Sequence, residues 1–272
     1  MKSLPIYINE YIIKNKLDKP IDSEHIYKYI PNTKEELVEN IEELVDRDIY
    51  DFNCIDTSKI TDMSHLFNVL NKRIKYNLKY TPFDVSGWDV RNVTNMACTF
   101  FNCYNFDCDL SNWNVSKVDN MLDMFANCKM FTGKGLENWN VSNVENMAGM
   151  FSGCVKFNCD ISGWNVNKIK KIISMFNNCW SFDCNLGKWN VSNIKNMVGL
   201  FYNCKKFKGK GLENWDVKNV KDMSVMFSEC INFDCDLSKW DVSNVKDMDK
   251  MFDDCISLKN KPNWYIRNEK HK

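Results

Sequence analysis

Thirteen cysteines recur at regular intervals in a chain of 272 residues, and thiols at short spacing are its residues best placed to do chemistry. The pattern Cys-x4-Cys occurs at Cys103/Cys108, Cys154/Cys159, Cys179/Cys184 and Cys230/Cys235. Four thiolates meeting at one point would hold zinc in a closed tetrahedral site. Three substitutions oppose that chemistry. Gly133 and Gly209 replace the second cysteine in two units, and Leu70 fills the first column in the earliest one. Leucine stands in for a buried thiol and not for a metal ligand. The columns therefore read as reduced thiols packing like small apolar groups. No metal ligands and no cofactor are expected, and a metal-binding protein is the third choice of function.

The other reactive residue types are sparse. The three histidines, His25, His65 and His271, have no Cys or Ser partner at a recognisable spacing, so no nucleophile–base pair is assembled in sequence. Gly133-Lys134-Gly135 and Gly209-Lys210-Gly211 lack the strand-and-helix setting of a phosphate loop. Asp89, Asn114, Asn140, Asn165, Asn190, Asp216 and Asp241 form a column in which Asn outnumbers Asp four to three, which suits a hydrogen-bonded ladder better than calcium. The expectation is a protein without catalytic residues, not an enzyme.

What positions these residues is a repeat. Tryptophans fall at 88, 113, 139, 164, 189, 215, 240 and 264, at spacings of 24 to 26, and only Trp180 is out of register. A fixed period of this size marks stacked coils. Counted from each of the seven in-register Trp from 88 to 240, position +2 is Val, +5 is Val or Ile, +8 is Met except for Ile172, +12 is Phe and +15 is Cys. Ile55 takes the Trp place in an atypical first unit. The fold class expected is an α/β repeat solenoid of eight leucine-rich-repeat-like coils of about 25 residues. Each coil would hold a short strand at Leu-x-x-Trp-[Asp/Asn]-Val, then a short helical turn from Ser at +3 to Cys at +15. Ser116 and Ser142 would be local N-caps. At roughly 4.8 Å per stacked strand the rod would be about 40 Å long.

The ends are expected to be caps, which a solenoid needs to cover its open core. Residues 1–54 form an N-terminal helical cap region, 55–266 the solenoid and 267–272 a polar tail. Thr33-Lys34-Glu35-Glu36 is a capping box opening a helix of about 14 residues with Leu37, Ile41 and Leu44 on one face. Residues 8–13 and 23–30 suggest two further short helices, and Trp264-Tyr265-Ile266 repeats the strand signature.

Lys+Arg and Asp+Glu are equal at 36 each, so a broad nucleic-acid footprint is not expected. No apolar run reaches the length of a membrane span, and the N-terminus has neither a secretion signal nor a lipid-attachment motif. Those features point to the cytoplasm, with a surface- or particle-associated location by a non-standard route as the alternative.

Binding residues should lie where large apolar side chains depart from the core register. Position +16 reads Tyr104, Lys129, Val155, Trp180, Lys205, Ile231 and Ile256. Tyr104, Val155, Trp180 and Ile231 there, with Phe101 and Tyr202 at +13, are the candidates for a partner-binding stripe. Partial burial against the next coil is the competing account.

The pattern Trp-[Asp/Asn]-Val-Ser-x-Val-x-x-Met-x-x-Met-Phe-x-x-Cys-x-x-Phe resembles the BspA-like leucine-rich-repeat surface proteins and the 26-residue-repeat proteins of listerial and mycoplasmal lipoproteins. The resemblance covers residues 33–266. It implies a solenoid that binds proteins, often at a microbial surface, and no catalytic residues. The expected function is a non-enzymatic scaffold binding another protein, identity open, through an exposed column face. A structural or self-assembling component of a particle or cell surface is the alternative.

Overall fold

The computed structural model describes residues 27–73 and 78–269. Its helices are α1 (Lys34–Asp46), α2 (Leu66–Arg73) and α3 (Asn263–Glu269), with one 3-10 turn at Leu212–Asn214. The remaining described chain is a stack of coils made mostly of turns.

Backbone pairing explains the stack. The N–H groups at +8, +10, +12 and +14 donate to the next coil: Met96, Cys98, Phe100 and Asn102 bond to the carbonyls of Asn120, Leu122, Met124 and Ala126 at 2.7–2.9 Å. The intervening N–H groups turn back within the coil, Thr99 to Met96, Phe101 to Cys98 and Cys103 to Phe100. Buried backbone groups need such partners, and a chain of turns supplies them as fully as strand or helix would.

The strand and the helical turn expected in each coil are therefore both replaced. Positions +10 and +14 have φ of +50° to +76° in all seven coils from Trp88 to Trp240. A left-handed residue at every fourth place ends an α-helix, because its Cβ crowds the following carbonyl. The spacing of Val +5, Met +8, Phe +12 and Cys +15 comes from successive turns that point the same residues inward. The parallel bridges lie at +7, linking Asp62, Asn95, Asn120, Asn146 and Lys171, and again Asn196, Asp222 and Asp247. At the N-terminal end two further bridges lie at or near the Trp place, Tyr29 with Ile55 and Asp51 with Asp84. Nor do Ser116 and Ser142 cap helices: their N–H groups donate to the Asn114 and Asn140 side chains at 3.1 and 3.2 Å. The +1 Asx column makes these local turns. The ladders between coils are elsewhere, Asn120 to Asn95 at +7 (3.2 Å) and Asn127 to Asn102 at +14 (2.8 Å).

The core columns have a polar purpose as well as an apolar one. Phe67, Phe100, Phe125, Phe151, Phe176, Phe201, Phe227 and Phe252 stack with ring centroids 5.3–5.8 Å apart. Each in-register Trp indole N–H donates to a carbonyl three places before the Trp position of the preceding coil, as Trp139 does to Leu110 at 3.1 Å and Trp164 to Leu136 at 2.9 Å. A buried indole requires such a partner, which fixes Trp rather than Phe at this position.

At the N-terminal end Thr33 accepts the Glu36 N–H at 3.2 Å, and the Glu36 carboxylate accepts from the Asn32 N–H at 2.6 Å. α1 buries Leu37, Val38, Ile41, Leu44 and Val45. The helix expected at 8–13 and the start of that at 23–30 lie outside the described residues. Tyr27–Ile30 is not helical: Tyr29 forms a parallel bridge with Ile55, 26 residues on, so the repeat register begins one coil early. At the other end Trp264, Tyr265 and Ile266 are helical within α3 and not a strand. The carbonyl of Pro262 accepts from Tyr265 and Ile266, and Pro has the φ a helix start needs. The last coil leaves the N–H groups of Met248, Lys250, Phe252 and Asp254 without a partner among the described residues.

Candidate functional site

The cysteine columns are engaged in structure. At +15 the thiol of Cys154 donates to the Phe125 carbonyl at 3.0 Å, and Cys128, Cys179, Cys204, Cys230 and Cys255 do the same one coil back at 2.8–3.1 Å. Burial pushes these thiols far above their ordinary value. In the second column Cys108 meets the Asp84 carboxylate at 3.3 Å and Cys235 meets Glu213 at 3.5 Å. Burial first, and the carboxylate second, push Cys235 up to about 12. Among the described residues no group of three or more His, Cys, Asp or Glu is arranged to hold a metal ion.

One juxtaposition was hidden in the sequence. His65, Cys98 and Asp123 occupy +10 in successive coils, as the bonds from His65 N–H to Ala97 and from Cys98 N–H to Leu122 show. Only the register of the columns could have found it, because the residues are 33 and 25 apart. Its chemistry is that of an inert thiol. Burial, then the Asp123 charge, push Cys98 up to about 11, the opposite of the shift a nucleophilic cysteine needs.

The +16 column is the part of the coil that faces outward with large side chains. Trp180 is 44% exposed, Ile231 37% and Ile256 79%. Tyr104 and Val155 are half-buried. Backbone bonds join the column to the next coil at three steps, where the Tyr104, Trp180 and Ile231 carbonyls accept from the Met130, Lys206 and Ser257 N–H groups. Its lysines lie on its aromatics, with Lys129 Nζ 5.0 Å from the Tyr104 ring centroid and Lys205 Nζ 4.5 Å from that of Trp180. Such contacts hold ring and cation together while leaving both partly wet. Tyr80, 61% exposed, extends the edge, its ring 5.3 Å from Tyr104.

The +13 candidates do not join this edge into one patch. Phe101 and Tyr202 are half-buried, and Ala126, Ser152 and Asn177 separate them along their column. Tyr202 is tied down, its hydroxyl donating to the Glu229 carboxylate. Ile256, Tyr80 and Met130 (39% exposed) are further members of the edge, and Tyr80 and Met130 lie outside the +16 and +13 columns that the sequence singled out.

No helix among the described residues is long and apolar enough to cross a membrane. No curated protein matches the chain. A solved structure described as "Crystal structure of TLR13-ssRNA13 complex" aligns at 9% identity over 83% of this chain, with a TM-score of 0.19. This chain spans 48% of that one, and a likeness so weak carries no argument. The profile of a repeat family matches four overlapping segments, 34–135, 72–186, 131–210 and 170–271. The chain belongs to the family described as "Mycoplasma protein of unknown function, DUF285".

Proposed function

We propose that this chain is a non-enzymatic repeat scaffold that binds another protein along the +16 edge. The observation that carries the reading is Trp180. Every other Trp from 88 to 240 is buried with its N–H bonded to a neighbouring coil, whereas Trp180 is 44% exposed. A rigid aromatic held on a regular backbone is the kind of anchor that protein interfaces concentrate. The likeness to leucine-rich repeats and to BspA-like surface proteins is part of the same reading, supported by the parallel +7 bridges and the shared motif. Thirteen free cysteines support a reducing location.

The test is affinity capture from the native cell with wild type and a Trp180→Ala/Ile256→Ser variant of unchanged melting temperature. A protein retained by the wild type and lost with the variant is the expected result. Equal retention overturns the assignment of the edge.

A further inference from the structure

The edge has a charge as well as an apolar character. In the seven coils from Trp88 to Trp240, positions +16 and +17 hold four lysines, Lys129, Lys156, Lys205 and Lys206, and no Asp or Glu. All four are exposed, and none forms an ion pair among the described residues. The whole chain has a net charge of zero, so this row is a local basic field on a neutral molecule. The lysines lie in the middle of the edge. Tyr104 stands at its N-terminal side and Ile231 at its C-terminal side, with Trp180 among the lysines.

Resting on the reading of this edge as an interface, we propose that its partner is an extended acidic protein segment with bulky apolar residues flanking its carboxylates. Lysines held over Tyr104 and Trp180 are placed by their rings, so part of the entropy of ordering them is already lost before binding. Carboxylates above them gain charge pairing while the flanking side chains cover the exposed rings and isoleucines. From Tyr104 to Ile231 is five coil steps, roughly 24 Å, which about seven residues of extended chain would span. A nucleic acid would satisfy the lysines but leaves the isoleucines facing a phosphodiester backbone, so the protein segment is favoured.

Selection from a random 12-residue peptide library displayed on phage tests this with the whole chain as bait. Enriched peptides should carry Asp or Glu at their centre and apolar residues at both sides. A selected peptide should bind about tenfold more weakly to the variant with all four lysines changed to Gln, and likewise on going from 50 to 500 mM salt. Neutral or basic enriched peptides that still need Trp180 overturn the acidic partner but leave the edge as an interface. Peptides indifferent to both the lysine changes and Trp180→Ala overturn the edge as well. No enrichment, or tighter binding of a single-stranded 20-nucleotide DNA than of any peptide, overturns the inference.

Discussion

Raising the pH should unfold this protein through its thiols. Cys103, Cys128, Cys154, Cys179, Cys204, Cys230 and Cys255 are all raised from an ordinary value of 9.0 by burial, with Cys255 at about 12. In the unfolded chain each thiol ionises near its ordinary value, whereas in the fold it stays protonated. A folded-state value above the unfolded one means that stability is fully present below about pH 9 and is lost as pH rises toward the folded value. From pH 8 to pH 10 each thiol removes about 1.4 kcal/mol. Seven together remove about 10 kcal/mol, comparable with the whole stability of a folded domain. Urea titrations followed by tryptophan fluorescence, at half-unit steps from pH 7 to 10.5, would show the midpoint falling steeply above pH 9. In a Cys128→Ala/Cys154→Ala/Cys179→Ala variant the fall should be shallower by about a quarter, since burial also raises Cys54, Cys98, Cys108, Cys159, Cys184 and Cys235 and three of thirteen protons are gone. Midpoints that stay level to pH 10, or a triple variant with the wild-type slope, would refute the reasoning.

Other perturbations separate backbone from side-chain causes. Gly135→Ala should cost more than about 2 kcal/mol, because φ is +91° and an added Cβ would lie 2.2 Å from the Ser111 backbone nitrogen. Gly163→Ala, with nothing within 4 Å, should stay within about 0.5 kcal/mol in the same urea assay. Trp139→Phe removes the bond to the Leu110 carbonyl and should cost about 1–3 kcal/mol in thermal or urea melts. Val225 is β-branched yet left-handed, with φ of +50°. Val225→Asn should raise the melting temperature, with about 1 kcal/mol of strain relieved.

The periodic columns made the stacking, the inward residues and the capped helix α1 legible without coordinates. A residue type repeated on a fixed period can only be buried against its own copies, and a Thr-x-x-Glu start satisfies helix N–H groups locally. The conformation inside each coil was not legible. Val, Met, Phe and Cys at spacings of three and four fit a helix and a chain of turns equally well, and the difference lies in φ at +10 and +14. At +14 Asn102, Asn127, Gly153, Asn178, Asn203 and Asp254 are of the types that favour a left-handed backbone, but at +10 Cys98, Ser174, Val225 and Lys250 carry no such signal. In the six coils before the last the N–H groups at +10 and +14 bond to the next coil, and Lys250 and Asp254 keep the same φ in the last coil.

The candidate site divides in the same way. Trp180 stood out as the one tryptophan outside the repeat, and its exposure of 44% follows from having no place in the core columns. Its setting was invisible. Lys205 over the ring, Tyr80 beside Tyr104, and the tying of Tyr202 to Glu229 join residues about 24 to 27 positions apart. Sequence by itself determined the period, the core columns and the end at which α1 covers them. Tertiary structure decided which backbone bonds run between coils, which thiols face carbonyls, and that aromatic and lysine side chains meet on one edge. The physical reason is that a period says which residues share a column, whereas the direction each column faces depends on the φ angles of turns that only neighbouring coils hold in place.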